Sequence, residues 1–272
     1  MLETRKKDIR KKADQVRRNM RTGNYGIMNL FKECELLDLK VVRYPLRDNA
    51  DLGFTVKKDG DIIIYTNSSE RLSREIFTLA HEIGHAILHM GEVNSFVDNG
   101  STLSDYITDE KEQEANYFAA CLLMPEDAIV KFFSIELAEE SINGIKAIDI
   151  AKIMSEFNVS FEMVLNRLES VGRIDAIEKA QLDNQKNEIR VRNLLKSAGG
   201  NAALNEPSNV LDIPFEYMEY VIYNYNHGAI PKETLEKALD CYNLTLDDVS
   251  DKLMEPAEND TDLDELIGGL DD

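Results

Sequence analysis

The sequence predicts an α+β fold in which a small antiparallel sheet precedes a long helix and a mostly helical C-terminal half follows. Two short β-rich runs, GFTV and DIIIYT, flank an Asp-Gly pair, which is a hairpin signal. From about residue 69 onward, helix-forming segments with start and stop signals replace the strands. An apolar fraction of 43% over 272 residues is enough for the core of one large domain or two modest ones.

Charge and cysteine content exclude several classes of protein. The formal net charge of −20 argues against direct binding of nucleic acid or of an anionic membrane, and it permits attraction to a basic partner. Cys34, Cys121 and Cys241 form no CxxC pair, so neither a disulfide framework nor a cysteine zinc cage is predicted. The sequence begins with charged residues rather than a secretory signal, and it has no apolar span of 18 residues. We therefore expect a soluble, cytoplasmic protein without membrane contact.

The N-terminal residues are predicted to form a helix. Nine of the first 22 are Lys or Arg, so we expect a solvated helix, and the acidic remainder of the chain disfavours a nucleic-acid arm. Residues 25–38 place apolar side chains at helical spacing. After the sheet, a long helix is expected to begin near Ser69, with Ser68, Ser69 or Ser73 as N-cap and Gly91 as its C′ residue.

The C-terminal half is predicted to be helical. A helix closed by Pro125 is followed, at 145–171, by a helix–turn–helix pattern with Ser160 as the second N-cap. Residues 197–209 are rich in Gly, Ser and Asn and include Pro207, which is typical of a linker. The last 18 residues hold eight acidic and no basic side chains, so they are expected to be disordered, or to form a short binding helix.

The long helix carries the stretch FTLAHEIGHAILHMG, residues 77–91, in which His81, Glu82 and His85 spell HExxH. Residues four apart lie on one face of a helix, so the two imidazoles can bind one cation, and zinc suits neutral imidazole nitrogen. Glu82 lies beside the metal and can take a proton from the attacking water. This spacing is the usual signature of peptide hydrolysis by a zinc enzyme.

A catalytic zinc takes three protein ligands and leaves one position open. His89 lies a further turn along the helix, which carries it away from the metal, so we expect it to pack or to support a ligand. On the next helix the apolar stripe lies about 60° from Glu112 and about 100° from Glu114. Glu112 therefore points closer to the interior and is the predicted third ligand, with Glu114 as the alternative. Asn116, one turn on, is placed to orient a histidine.

The segments IIIYTN, IFTLAHEIGHAILH and EQEANYFAACLLMP resemble the ImmA/IrrE family of metallopeptidases. FNVSFEMVLNRLESVG is similar to the helix–turn–helix-like segment of that family. The resemblance is strong over about 25–173 and weaker over 206–250, and it does not extend to the basic N-terminal helix or the acidic tail.

The resemblance implies a gluzincin-like site in which Zn²⁺ is held by His81, His85 and a downstream glutamate. It implies that Glu82 is the catalytic base. Within the family the residue before Ala-Asn is often glutamine, which supports Glu112 over Glu114 as the ligand.

Family members are implied to cleave Xre-type helix-turn-helix repressors, or to stand beside such a repressor in toxin–antitoxin-like pairs. We expect a separate Xre-type repressor as substrate or partner. The alternative is a non-proteolytic antirepressor that binds the repressor and whose zinc is only structural. Direct DNA binding through 146–171 is disfavoured, because Phe161, Glu162, Asn166 and Glu169 suit phosphate contacts poorly.

The expected organisation has five segments. They are a basic helix at 1–24, a zinc metallopeptidase domain at 25–130, a helical region with the helix–turn–helix-like segment at 131–198, a C-terminal helical region at 199–254 and an acidic tail at 255–272.

Overall fold

The computed structural model describes residues 1–46, 52–58, 60–90, 95–98, 110–137 and 144–254, with only the backbone of 95–98, 187 and 188. The predicted turn residue Asp59, the predicted C′ residue Gly91 and the acidic tail lie outside these residues. The chain divides into two compact units, Met1–Ile213 and Pro214–Asp272, and each has a hydrophobic core of its own.

The first unit combines one sheet with helices on the described residues. In chain order its elements are α1 (Glu3–Arg17), α2 (Leu30–Glu33), β1 (Leu39–Tyr44), β2 (Gly53–Lys58), β3 (Asp61–Asn67), α3 (Leu72–Leu88), β4 (Ser95–Asp98), α4 (Glu110–Leu123), α5 (Glu126–Glu136), α6 (Ala147–Phe157), α7 (Phe161–Ser170), α8 (Ala176–Glu188) and α9 (Val191–Ser197). Short 3₁₀ turns occupy Cys34–Leu37 and Ala202–Asn205. The predicted α+β class is confirmed.

The sheet is mixed rather than purely antiparallel, which corrects the sequence prediction. Its strand order is β1-β3-β2-β4, and β2 pairs antiparallel with both β3 and β4. The predicted hairpin of β2 and β3 is therefore present, but β1 pairs in parallel with β3, with Val41 opposite Ile64. A tight turn reveals only the pairing of the two strands that it joins. The partner of β1 depends on a longer connection that carries no such signal.

Helix α3 lies between the sheet and α4. The predicted serine cap was wrong, because the N-cap residue is Arg71, whose side chain makes no capping bond. The first backbone N–H of α3, at Leu72, donates instead to Glu206 O at 2.9 Å. Gly84 allows α4 to approach closely: a Cβ there would stand 3.1 Å from the Cα of Ala115. A glycine on α3 thus brings α4 close to the face that carries the histidines.

Helix α1 packs against α4, so the prediction of a solvated helix was wrong. Ile9 and Ala13 are completely buried, and Val16 is 8% exposed. These residues lie four and three apart, which gives a narrow apolar stripe on a helix that is otherwise charged. Composition hid this stripe because the many basic residues dominate the average of the segment.

The helix–turn–helix-like segment packs into the core of the first unit. Ser160 caps α7 as predicted, since its side chain accepts from the Met163 N–H. Arg167, only 6% exposed, donates through Nε to Met124 O at the end of α4, at 2.8 Å. Phe157 and Leu165 are about fully buried in the same core as α3 and α4. This segment therefore packs in one core with helices α3 and α4.

The stretch after α9 is not a free linker, which corrects the sequence prediction. Residues 207–212 lie alongside β1 and the start of α3. The backbones of Arg43 and Asp212 exchange two hydrogen bonds, of 2.7 and 2.9 Å. Ser208 Oγ lies 3.0 Å from both Arg43 Nη2 and Glu75 Oε2, beside the buried Arg43–Glu75 ion pair. The polar groups of this stretch form hydrogen bonds with the backbone and side chains of the folded unit instead of with solvent.

The second unit holds α10 (Glu216–Asn226), α11 (Lys232–Asp240) and a 3₁₀ turn at Asp247–Lys252. Gly228, with φ of +67°, and Pro231, the N-cap of α11, separate its helices. Within the described ranges, no helix of either unit has the length and apolar content required to span a membrane.

Candidate metal centre

Two histidines of α3 and one glutamate of α4 converge on a single point. His81 Nε2 and His85 Nε2 are 2.9 Å apart, and they lie 3.1 and 3.3 Å from the two carboxylate oxygens of Glu112. One ligand atom from each residue lies within 4.8 Å of the other two. The imidazoles are almost fully buried, whereas the Glu112 side chain is 13% exposed. The structure therefore brings together all three residues that the sequence predicts as ligands.

The His81 ring is oriented by Asn116, as predicted. Its Nδ1 lies 2.9 Å from Asn116 Oδ1, and an amide oxygen can only accept, so Nδ1–H is the donor. In a neutral imidazole this leaves a lone pair on Nε2, which faces the other two residues. A metal ligand whose second nitrogen is held in this way has a fixed tautomer and a fixed ring orientation.

The donor set suits a divalent metal. Burial alone would raise the pKa of Glu112, but the neighbouring imidazoles of His81 and His85 outweigh it and lower that pKa to about 2. Burial also lowers the pKa of His85 below its usual value. The site therefore presents a charged carboxylate and a neutral imidazole at neutral pH, which are the protonation states that metal binding requires. Two imidazoles and one carboxylate are also the ligands of many catalytic zinc sites.

The relative burial of the two glutamates was predicted wrongly. The Glu114 side chain is 7% exposed and the Glu112 side chain 13%, so Glu114 is the more buried of the two. Arg5 covers Glu114, with Nε 2.6 Å and Nη2 2.5 Å from its carboxylate oxygens. The apolar stripe of α4 carries no information about a side chain from α1 that covers Glu114. Glu112 nevertheless lies at the histidines, and its role as third ligand stays a prediction that this geometry supports.

Glu82, the predicted catalytic base, directly follows His81 in the sequence, and its side chain is completely buried. Thr55 Oγ1, on β2, donates to Glu82 Oε2 at 2.5 Å. The close contact of β2 and α3 depends on Gly53, because a Cβ there would stand 2.5 Å from the Thr78 methyl carbon. Neither Gly53 nor Thr55 was predicted from the sequence. The available signal was a polar residue at an inward position of a strand, since the buried positions of β2 alternate from Gly53.

His89 lies outside the group of His81, His85 and Glu112, as expected from the sequence. His89 is 3% exposed and contacts His85 and Glu114 through its two ring nitrogens, at 3.1 and 3.0 Å. It therefore supports a predicted ligand rather than joining the ligand set. His227, in the second unit, is exposed and stacks on Tyr223 with ring centroids 4.0 Å apart.

Comparisons with known proteins identify a metallopeptidase domain in this chain. The family model of peptidase M78, the IrrE N-terminal-like domain, matches residues 34–169, which include α3, α4 and the helix–turn–helix-like segment. The radiation response metalloprotease IrrE of Deinococcus radiodurans is 42% identical over 100 residues, which cover 35% of this chain and 27% of IrrE. This match spans only about a quarter of the length of IrrE.

Two further relatives match over longer stretches at lower identity. Metallopeptidase ImmA of Bacillus subtilis is 24% identical over 148 residues, which cover 54% of this chain and 79% of ImmA. Uncharacterized immunity region protein 2 of Bacillus phage phi105 is 27% identical over 126 residues, which cover 45% of this chain and 77% of that protein. The family match covers half of the chain and contains the HExxH helix and the glutamate helix together. The chain thus belongs to the ImmA/IrrE family of metallopeptidases.

Proposed function

We propose that this chain is a zinc-dependent endopeptidase that cleaves an Xre-type helix-turn-helix repressor and thereby relieves repression. The observation that carries the proposal is the convergence of His81, His85 and Glu112 on one point, with Glu82 adjacent in sequence. This arrangement supplies three ligands for a catalytic metal together with a carboxylate that can act as the base.

The residues divide the chemistry between holding a metal and moving a proton. A zinc ion held by His81, His85 and Glu112 would supply Lewis acidity, which lowers the pKa of water to about 7 and polarises a peptide carbonyl. Glu82 accepts a proton on its carboxylate from the attacking water and passes it to the departing amine nitrogen. Thr55 fixes one oxygen of that carboxylate and so orients it for the transfer.

The choice of a repressor as substrate rests on relatives and on charge. One relative carries the name ImmA and another is named as a phage immunity-region protein. Proteins that bind DNA carry basic surfaces, and a net charge of −20 attracts such a partner over distances of about a Debye length. The proposed enzyme is therefore an acidic peptidase that acts on a basic substrate.

The alternative is an antirepressor that binds the repressor without cleaving it, with zinc only structural. The discriminating residue is Glu82. A structural zinc site has no use for a buried carboxylate beside its ligands, and a buried carboxylate is costly unless it is paired or used. The Thr55 hydrogen bond keeps this group in one orientation, which favours the catalytic proposal.

The test is to co-express the chain with a candidate Xre-type repressor and to follow the size of the repressor and the occupancy of its operator. Glu82→Gln keeps size and polarity but cannot accept the proton. Because general-base catalysis contributes about 10²–10⁴ in rate, cleavage should nearly vanish while zinc is retained. Glu110→Gln, an exposed glutamate in the first turn of α4, is the matched control and should cleave normally. If Glu82→Gln relieves repression as well as the wild type does, with the repressor intact, the chain is an antirepressor.

A further inference from the structure

A line of hydrogen-bonded side chains connects the N-terminal helix to the candidate metal centre. Arg5 on α1 donates two hydrogen bonds to the carboxylate of Glu114 on α4, at 2.6 and 2.5 Å. Glu114 Oε2 lies 3.0 Å from His89 Nε2, and His89 Nδ1 lies 3.1 Å from His85 Nδ1. Arg5, Glu114 and His89 are called the Arg5 relay below.

The chemistry of the relay fixes the direction of each hydrogen bond. A guanidinium can only donate, so it holds Glu114 as an accepting carboxylate. A carboxylate can only accept, so His89 Nε2 is the donor toward Glu114. A neutral His89 then has its lone pair on Nδ1, which accepts a hydrogen bond from His85 Nδ1–H.

The end of the relay is the nitrogen that faces the other predicted ligands. With the proton on Nδ1, the lone pair of His85 lies on Nε2, which is 2.9 Å from His81 Nε2 and 3.3 Å from Glu112 Oε1. Binding of a metal by His85 Nε2 requires this tautomer. The relay supplies the acceptor that this tautomer needs, in the same way that Asn116 supplies it for His81.

We propose that the Arg5 relay holds His85 in the tautomer and orientation that bind metal, so that the N-terminal helix is a working part of the metal centre. Arg5, Glu114 and His89 are positioning residues that act through His85. The inference rests on the proposed function, because it takes His81, His85 and Glu112 as the ligands.

Burial separates the relay from an ordinary surface ion pair. The side chains of Glu114 and His89 are 7% and 3% exposed, and that of Arg5 is 34% exposed. Buried polar networks bind strongly when every member is satisfied, and they exact a cost when one member is removed. Helix α1 is already held to the core by Ile9 and Ala13, so its attachment does not depend on Arg5 alone.

The first experiment measures zinc affinity of the purified full chain by competition with a chromophoric chelator. Arg5→Met keeps most of the stem but removes the donors to Glu114. We expect its zinc affinity to fall about 10–100-fold, the usual effect of losing a group that orients a ligand. The control is Arg10→Met on the same helix, because Arg10 forms an exposed ion pair of 3.8 Å with Glu126. Its affinity should match the wild type.

The second experiment removes and restores the acceptor for His85. His89→Leu fills the site but accepts nothing, so zinc affinity should again fall about 10–100-fold. His89→Gln can accept from His85 Nδ1–H through its amide oxygen and donate to Glu114, so it should recover most of the affinity. A purely structural role of His89 would not predict recovery by a polar residue over an apolar one at a buried position.

The outcomes separate the relay from the proposed function. A wild-type chain that binds no zinc would contradict the ligand assignment itself. If the wild type binds zinc and Arg5→Met binds it equally well, the relay is overturned, even if the variant melts at a lower temperature. If Arg5→Met does not fold, the His89 pair decides: equal affinities of His89→Leu and His89→Gln overturn the proposal, and a weaker His89→Leu supports it.

Discussion

The two histidines of the candidate metal centre are held by unlike partners. His81 has its orienting residue, Asn116, on the helix that also provides Glu112, one turn away. His85 is oriented through His89 and Glu114 by Arg5, which is 109 residues from Glu114 in the chain. The first partner belongs to the predicted metallopeptidase segment, and the second requires the N-terminal helix. A metal centre can thus depend on a segment that carries none of its ligands.

The difference also concerns charge. The partner of His81 is a neutral amide, whereas the partner of His85 ends in a buried carboxylate with a guanidinium beside it. A neutral hydrogen bond is worth about 0.5–1.5 kcal/mol and one to a charged group about 1.5–3 kcal/mol. Removing the charged partner should therefore have at least as large an effect as removing the neutral one.

The largest effect on metal binding is expected at the predicted ligand itself. Glu112→Gln should lose nearly all bound zinc, because an amide replaces the anionic ligand, while Glu114→Gln should retain zinc with affinity lowered about 10–100-fold. Metal analysis of the two purified proteins after dialysis against a weak chelator measures the difference. Loss of zinc from Glu114→Gln together with full retention by Glu112→Gln would exchange the roles of the two glutamates.

A smaller effect on zinc affinity is expected from removing the Asn116 side chain, which accepts the hydrogen bond of His81. Asn116→Leu removes the acceptor for His81 Nδ1–H and should weaken zinc binding about 10-fold, the lower end of the range for such residues. Asn116→Asp keeps an acceptor oxygen and should bind zinc close to wild-type affinity. Chelator competition on both proteins tests the comparison, and equal losses in the two variants would mean that the side chain serves packing alone.

Thr55→Val should leave zinc affinity unchanged and lower the rate of peptide cleavage. Thr55 donates to Glu82, which is not among the predicted ligands, and a hydrogen bond to a charged group is worth about 1.5–3 kcal/mol, or roughly 10–100-fold in rate. Thr55→Ser, which keeps the donor, is the matched control. Zinc content and cleavage rate measured on one preparation check the prediction, and loss of zinc from Thr55→Val would contradict it.

The smallest effect is expected at the fourth histidine. His227 is exposed in the second unit, so His227→Ala should change zinc affinity by less than about twofold, as for other exposed substitutions. The measurement is the same chelator competition. A larger change would place a metal ligand in the second unit and would break the comparison between the two partners of the centre.

Much of the candidate site was predictable because its parts are local in sequence. The i, i+4 spacing places His81 and His85 on one face of α3. Asn116 follows Glu112 by one turn of α4. Periodicity also predicts that His89 lies beyond the ligand set. The hairpin of β2 and β3 and the cap at Ser160 were predictable for the same reason, since turn and cap signals extend over only a few residues.

What the sequence could not give depends on contacts between distant segments. Three contacts join parts of the chain without a local signal. They are the parallel pairing of β1 with β3, the contact of residues 207–212 with β1, and the hydrogen bond of Thr55 with Glu82. Such contacts form only when the fold brings distant elements together.

The sequence by itself determined the kind of centre: two histidines, a neighbouring carboxylate and a downstream glutamate, all on helices whose period places them on known faces. The tertiary structure alone decided which groups surround that centre. It placed Arg5 over Glu114 and so made the residue farther from the apolar stripe the more buried one. The physical reason is that helical periodicity fixes where a side chain points, whereas its burial depends on which other element packs there.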